Sequence, residues 1–283
     1  MLQKINLEYI LFLDIETVPE KENFQELDDA KQELWEQKSR YQRKDDYSPE
    51  EFYDRAGIWA EFGTIICISV GYFKVNSDSK TFRVTSFQGD EAKLLKEFKN
   101  LLNTHFGQPK HLLCAHNGKE FDFPYIARRM LVNNVSLPRV LRMHGKKPWE
   151  IHHLDTMELW KFGDYKKFTS LELLATIFDI PTPKDDIDGS QVGPVYWIDN
   201  DLERIVNYCT KDVVTTASAL GDFVGALQTL PGTTTVSEDG RLFVRGGEAE
   251  ETQIFIDGMR VFTPYAPTTN NIPTRGRYSP FLF

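Results

Sequence analysis

The sequence contains few cysteines and no long hydrophobic run. Three cysteines, Cys67, Cys114 and Cys209, occur among 283 residues, and their odd number and spacing fit neither a disulfide framework nor a zinc site. Each lies among apolar neighbours, so we expect buried free thiols and a cytoplasmic location. The first apolar run is short and interrupted by Glu8, unlike a signal peptide. No segment approaches the roughly 20 apolar residues that span a bilayer.

The chain also lacks the excess of positive charge that is typical of general nucleic-acid binders. Its formal net charge is -9, from 33 Lys and Arg against 42 Asp and Glu. This balance does not exclude a nucleic-acid enzyme, because acidic sites for divalent metals add negative charge and a local basic face still attracts phosphates. The composition is 41% hydrophobic and 27% charged, which allows a sizeable core.

The first part of the chain combines strand and helix patterns. A dense apolar run at 9–13 indicates a central strand buried on both faces. Residues 63–73 and 81–88 predict a hairpin. The highly charged residues 21–60 between these strands indicate a helical insertion. The remainder alternates, with helices expected at 90–103, 121–132, 170–178 and 199–220 and short strands at 111–116 and 151–156. This order predicts an α/β fold with a mixed sheet flanked by helices.

Three short acidic motifs lie beside these elements. Asp14 and Glu16 follow the first strand and share one face, because residues i and i+2 of a strand point the same way. A divalent metal would relieve their repulsion, and a solvated strand end would do so equally. Asp122 begins a predicted helix, where a carboxylate also favours the helix dipole. Tyr208 and Asp212 are four residues apart and therefore share one face of the predicted helix. Such pairs are frequent in helices, so this motif alone indicates little. The last helix is expected to be capped by residue 199 or 200.

Taken together, the three motifs resemble those of the DEDD superfamily of exonucleases. F-L-D-I-E-T-V-P (12–19), N-x-x-x-F-D (117–122) and Y-x-x-x-D (208–212) occur in the order of that superfamily, the third in its tyrosine-bearing form. Over about residues 5–218 the chain resembles a bacterial family of exonucleases related to the proofreading domain of family-B DNA polymerases, in which a segment like 171–192 also recurs. The resemblance implies a ribonuclease-H-like fold for residues 1–220.

The activity implied by this resemblance is 3′→5′ exonuclease activity of the DEDDy type. Two divalent ions ~3.5–4 Å apart can activate water, neutralise phosphate and stabilise the leaving alkoxide. Tyr208 would orient the water, and Asp14 would bridge two Mg²⁺ or Mn²⁺ ions held by Asp14, Glu16, Asp122 and Asp212. The expected substrate is the 3′ end of single-stranded nucleic acid, DNA in the first place. An RNA-trimming exonuclease and a non-catalytic nucleic-acid-binding module are the alternatives.

The resemblance also indicates substrate contacts. Ile15 and Thr17 flank the first carboxylates, and Asn117 could bond a sugar or a phosphate. Phe121 could wedge against a base or simply pack in the core. Lys184 could reach a phosphate or remain solvated.

A locally basic stretch at 128–153 could follow a single strand by phosphate contacts and stacking on Trp149. A solvated basic surface is the alternative. Its cationic residues are Arg128, Arg129, Arg139, Arg142, Lys146 and Lys147.

The composition changes after about residue 221. No lysine follows Lys211, and Thr, Gly and Pro become frequent. L-P-G, R-L-F-V-R-G-G and I-D-G-M-R-V resemble part of the plug domain of a TonB-dependent outer-membrane receptor. A plug fragment without its barrel transports nothing, so this resemblance implies a chimera in which residues 221–283 form a plug-like, β-rich or poorly ordered tail. A genuine β accessory module is the alternative.

Overall fold

A computed structural model of the protein describes most of the first 228 residues. The described ranges are 6–44, 46–75, 80–164, 168–180 and 187–228, with short strands at 233–234, 243–244, 254–256 and 259–261. Among these residues no helix has the length and apolar character needed to cross a membrane.

A five-stranded mixed sheet forms the centre of the fold. Its order is β3-β2-β1-β4-β5. β1 pairs antiparallel with β2 and parallel with β4, while β4 pairs parallel with β5. The predicted hairpin is the antiparallel pair β2-β3. The strands are β1 (Ile10–Pro19), β2 (Gly63–Val75), β3 (Lys80–Gln88), β4 (Leu112–Ala115) and β5 (Leu154–Asp155).

Helices cover both faces of this sheet, so the predicted α/β class is confirmed. One face is covered by α2 and α3. The other is covered by α7, against which α4, α5 and α6 pack. The helices are α1 (Asp29–Arg43), α2 (Glu91–His105), α3 (Asp122–Val132), α4 (Thr156–Lys161), α5 (Leu171–Ile177), α6 (Val192–Trp197) and α7 (Leu202–Gln228). Four short strands follow: β6 (Thr233–Thr234), β7 (Phe243–Val244), β8 (Ile254–Ile256) and β9 (Met259–Val261).

β1 is apolar along its first half because its two faces enter different cores. Leu11 and Leu13 pack into the core that α2 and α3 complete. Ile10 and Phe12 pack on the opposite face, with Val213 of α7. Strand side chains alternate between faces, so every residue of this segment is buried and no polar position interrupts the run.

The charged insertion between β1 and β2 has a small aromatic core of its own. Trp35 of α1 is fully buried, and its Nε1–H donates to the carbonyl of Pro49 at 2.7 Å. Phe52 and Tyr53 pack around the Trp35 ring. Charge dominates the sequence of this segment because α1 exposes most of its surface and buries little besides Trp35.

The start of α7 differs from the sequence-based expectation. Neither Asp199 nor Asn200 caps it, since the carboxylate of Asp201 accepts the backbone N–H of Arg204 at 3.1 Å. Asn200 has a φ of 53°, outside the extended conformation of an N-cap residue. α7 then continues to Gln228, through the expected module boundary near 218–228.

His153 is a buried histidine that ties two segments together. Its Nδ1 accepts the backbone N–H of Leu113 in β4 at 3.1 Å, and its Nε2–H donates to the carbonyl of Val140 at 2.8 Å. Both ring nitrogens are therefore occupied by the protein. Burial lowers the pKa of His153 to about 4, so the folded state holds this ring neutral.

His153 should therefore contribute less to the free energy of unfolding as the pH falls from about 6.5 towards about 4. In that window the unfolded chain binds a proton that folded His153 does not bind. One such proton contributes a slope of up to about 1.4 kcal/mol per pH unit. Urea denaturation at several pH values measures it. Relative to His153→Gln, the free energy of unfolding of the wild type should fall by this slope as the pH falls, whereas relative to the exposed neighbour variant His152→Gln it should stay constant. A difference between the wild type and His153→Gln that does not change with pH would contradict this account.

Candidate active site

Asp14 and Glu16 lie on the α7 face of β1. α7 crosses this face and brings Cys209 beside them, so that one ligand atom from each of the three residues lies within 4.8 Å of the others. Glu16 is only 8% exposed. The strand thus changes from an apolar to an acidic face where α7 crosses it, and two carboxylates are held among buried atoms.

A β-bulge in β2 shapes the wall beside these carboxylates. The register of β1 and β2 shifts between Glu16, which lies opposite Cys67, and Thr17, which lies opposite Ile65. The extra residue is Ile66, which packs towards α6 and α7. Cys67 also faces α7, where it hydrogen bonds with the Cys209 thiol. Bulges redirect side chains in this way, and here two consecutive residues of β2 close one side of the site.

Asp122 and Asp212 complete a set of four acids. Asp122 is the first residue of α3 and is 2% exposed. Asp212 lies on α7, one turn beyond Tyr208. Both lie close enough to Asp14 to repel its charge. We call these four residues the carboxylate cluster: Asp14, Glu16, Asp122 and Asp212.

These carboxyls cannot all ionise together unless a cation offsets their charge. Burial raises the pKa of Asp14 and of Glu16 well above its usual range, and repulsion from the neighbouring acids adds to it. Burial also raises the pKa of Asp122 to about 7, against hydrogen bonds from the backbone amides of Asp122 and Ile15. Within the described part of the chain, Asp14 Oδ2 and Asp122 Oδ1 are buried and accept no hydrogen bond.

The donor atoms fit a hard divalent cation. Carboxylate oxygens are the ligands that Mg²⁺ and Mn²⁺ prefer, and buried acceptors without donors need a positive partner. Cys209 lies in the same geometric group but suits this role poorly. Its thiol donates to the carbonyl of Asp14 at 3.4 Å, and burial raises its pKa. A protonated thiol is not a metal ligand, so the carboxylates are the side chains here whose donor atoms fit such an ion.

Tyr208 lies on the same face of α7 as Asp212 and is partly buried. Burial raises the pKa of the Tyr208 hydroxyl, and the nearby carboxylates and a hydrogen bond with Asp212 raise it further. The hydroxyl therefore stays protonated. Its hydrogen points to a carboxylate, and its oxygen can accept a hydrogen bond from a water molecule.

The predicted substrate residues occupy different environments. Ile15 is 5% exposed and packs in the α2–α3 core, which leaves its backbone atoms for the predicted contact. Thr17 is partly exposed and hydrogen bonds with Tyr125 of α3. Lys184 lies outside the described residues.

Asn117 and Phe121 lie on the loop between β4 and α3. Asn117 has a φ of 63°, and its Oδ1 is buried without a hydrogen bond among the described residues. Phe121 is half-buried, with its ring 5.3 Å from the ring of Tyr125. Asn117 thus has a free acceptor, whereas Phe121 partly serves the core.

Arg129 of the basic stretch is a structural residue. Its guanidinium donates to both oxygens of Glu91, at 2.8 and 2.5 Å, and to the carbonyl of Ala60 at 2.9 Å. It is only 7% exposed, so it cannot follow a strand of nucleic acid. Trp149, by contrast, is 73% exposed, with Lys147 Nζ 5.1 Å from its ring centre. The basic stretch therefore contains a buried structural residue, Arg129, and an exposed aromatic residue, Trp149, and only the exposed one can contact a nucleic acid.

Motif reasoning missed Asp155, the last residue of β5. Its carboxylate accepts four backbone N–H groups, from Asn117, Lys119, Met157 and Glu158, at 3.0 to 3.2 Å. The sequence pattern places it within the strand expected at 151–156 and predicts no helix directly after it. Nothing in the sequence connects it to residues 117–119.

Mg²⁺ or Mn²⁺ should stabilise the folded protein by offsetting the charge of the carboxylate cluster. At 100 times the dissociation constant the gain is about 2.7 kcal/mol. Thermal melts with and without metal measure it. Asp14→Asn should lose this gain, and its metal-free form should melt higher than the wild type at neutral pH because one buried charge is removed. Asp28→Asn, at the cap of α1, is the control that should keep the gain. An unchanged gain in Asp14→Asn would contradict the assignment.

Comparison with known proteins places this site in a family. Residues 59–219 match a family described as a predicted 3′-5′ exonuclease related to the exonuclease domain of PolB. A search of curated proteins found no match. Nothing in these comparisons supports the resemblance of the tail to a receptor plug. The matched segment is more than half of the chain and contains the second and third motifs. The chain therefore belongs to the family of predicted 3′-5′ exonucleases related to the exonuclease domain of PolB.

Proposed function

We propose that the protein is a divalent-metal-dependent 3′→5′ exonuclease of the DEDDy type that acts on single-stranded nucleic acid, preferentially DNA. The observation that carries this proposal is the carboxylate cluster, with the Tyr208 hydroxyl one helical turn from Asp212. Membership of an exonuclease family supports hydrolysis of a phosphodiester bond and a nucleic-acid substrate.

Each residue of the cluster has a proposed task. Two Mg²⁺ or Mn²⁺ ions would supply an activated water and offset the charge of the phosphate and the leaving alkoxide. Asp14 is repelled by each of the other three carboxylates, so it lies where one ligand can serve both ions. Glu16, Asp122 and Asp212 would hold the ions from the remaining sides.

Tyr208 would orient the attacking water without taking its proton. Its raised pKa keeps the hydroxyl neutral, and a neutral hydroxyl cannot act as a general base. The hydroxyl donates its hydrogen to a hydrogen bond with Asp212, while its oxygen would accept a hydrogen bond from the water. Alignment of a nucleophile by one hydrogen bond lowers the barrier by fixing its direction of attack.

Several residues around the cluster would bind the 3′-terminal nucleotide. The free Oδ1 of Asn117 suits a sugar hydroxyl, and Thr17 and the backbone of Ile15 border the cluster. The base contact of Phe121 and the phosphate contact of Lys184 remain predictions. The cytoplasmic location also remains a prediction. The exposed Trp149 offers a stacking surface for a single strand.

An RNA-trimming exonuclease would use the same cluster, so substrate preference distinguishes the two. A non-catalytic binding module is disfavoured because four acids held close together, two of them buried, would cost stability without a task. For residues 221–283 the plug-like assignment stays a prediction; the family match ends at residue 219.

The test is degradation of 5′-labelled single-stranded DNA and RNA with Mg²⁺ or Mn²⁺. The wild type should give a ladder that shortens from the 3′ end and disappears with EDTA. Asp212→Asn should reduce the rate to background, and Tyr208→Phe should lower kcat by about 100-fold. Tyr72→Phe changes a tyrosine on the opposite face of the sheet and should leave the rate unchanged. A folded wild type without activity, or shortening from the 5′ end, would refute the proposal.

A further inference from the structure

We propose that Asp155 is a positioning residue, which fixes the loop between β4 and α3 and thereby places Asn117 and Asp122 at the site. This inference rests on the proposed function. Asp155 belongs to none of the three exonuclease motifs, and it lies on a different strand from every residue of the carboxylate cluster.

The carboxylate of Asp155 does more than cap a helix. A cap requires only the bonds from Met157 and Glu158, at 3.0 and 3.2 Å. Two more bonds cross to the neighbouring strand connection, from the backbone amides of Asn117 at 3.0 Å and Lys119 at 3.1 Å. β4 and β5 are parallel neighbours, with Ala115 opposite Asp155, so the carboxylate faces the loop that leaves β4.

The backbone of this loop has an unfavourable conformation, which contacts from outside the loop must stabilise. Asn117 has a left-handed conformation, with a φ of 63°, which costs a non-glycine residue on the order of 1 kcal/mol. Gly118 lies so close to β4 and α3 that a Cβ there would come within 2.4 Å of the Ala115 Cβ and 2.9 Å of the Phe123 ring. The left-handed Asn117 and the close contacts of Gly118 restrict the loop to one conformation. The hydrogen bonds to Asp155 stabilise this conformation against others that Asn117 would prefer.

The residue after Asp155 holds the same loop from its other end. Thr156 Oγ1 lies 2.9 Å from His116 Nδ1, and His116 Nε2 lies 2.8 Å from the carbonyl of Thr169. The backbone N–H of Phe123 then donates to the carbonyl of Gly118 at 2.9 Å, which joins the loop to the first turn of α3. Hydrogen bonds from the β5–α4 junction thus hold residues 116, 117 and 119, and the bond to Gly118 connects the same stretch of backbone to the helix that begins with Asp122.

Asp155 is unsuited to binding a metal itself. Its Oδ1 accepts three N–H groups and its Oδ2 accepts a fourth. The side chain is 3% exposed. A ligand would have to displace backbone donors, so its role is exerted through the loop.

The experiment compares Asp155→Ser with the wild type and with Asp90→Ser. Serine remains a good N-cap, so Asp155→Ser keeps the cap of α4. Its single oxygen on a shorter side chain removes the bond from Lys119, which goes to Oδ2, and weakens the bond from Asn117, which shares Oδ1 with the cap. Asp90 caps α2 through Lys93 at 2.9 Å, away from the site, and its substitution controls for a changed cap. Three quantities are measured: kcat and KM on single-stranded DNA, the Mg²⁺ concentration for half-maximal rate, and hydrogen exchange of residues 116–122 in metal-free protein.

Asp155→Ser should lower kcat by about 10- to 100-fold with KM little changed. It should also raise the Mg²⁺ requirement and speed exchange at 116–122, whereas Asp90→Ser should change none of these. A lower melting temperature with unchanged kcat and exchange would overturn the inference. If Asp155→Ser does not fold, Asp155→Asn decides in the same way, because it keeps the size and turns one acceptor towards Lys119 into a donor. An inactive wild type would refute the proposed function instead, since its rate is measured independently of the variants.

Discussion

The structure depends on holding four like charges together at one crossing of a strand and a helix, two of them buried and two half-buried. The four acids meet where the sheet changes from an apolar to an acidic face. They are Asp14 and Glu16 of β1, Asp122 at the start of α3 and Asp212 of α7. Burial and mutual repulsion raise the pKa values of Asp14 and Glu16, so this region destabilises the fold unless a cation is bound. The surrounding structure must be rigid enough to hold it. The bulge in β2 and the packing of α7 on the sheet provide this rigidity.

The site is assembled from segments that are remote in sequence. Asp14 lies on the first strand and Asp212 on the last helix of the described residues, so no local unit can form the cluster alone. The family match starts at residue 59 and leaves out β1. Asp14 and Glu16 therefore lie outside the matched segment, but they are tied to it, because β1 pairs with β2 and α7 packs on both strands.

Much of the fold could be predicted from the sequence, because apolar periodicity reports burial directly. The unbroken run of β1, the β2-β3 hairpin and the helices α2, α3, α5 and α7 appeared as patterns, whereas the short helices α4 and α6 were not predicted. The contacts that hold the site were not visible. In the sequence Asp155 lies within an expected strand and shows no sign of this role, since its bonds to residues 117–119 depend on strands pairing in parallel. Arg129 has the appearance of a surface cation, since its partner Glu91 lies on another helix. The β2 bulge at Ile66 leaves no mark in an apolar run.

The most direct test of the account is the anomalous diffraction of crystals grown with Mn²⁺. It predicts two manganese peaks about 3.5–4 Å apart, both contacted by Asp14 Oδ atoms and enclosed by Glu16, Asp122 and Asp212. It also predicts that the Cys209 thiol contacts neither ion. The absence of manganese from this site at saturating concentration, or a single ion bound by Cys209, would contradict the claim that the carboxylate cluster is a two-metal centre.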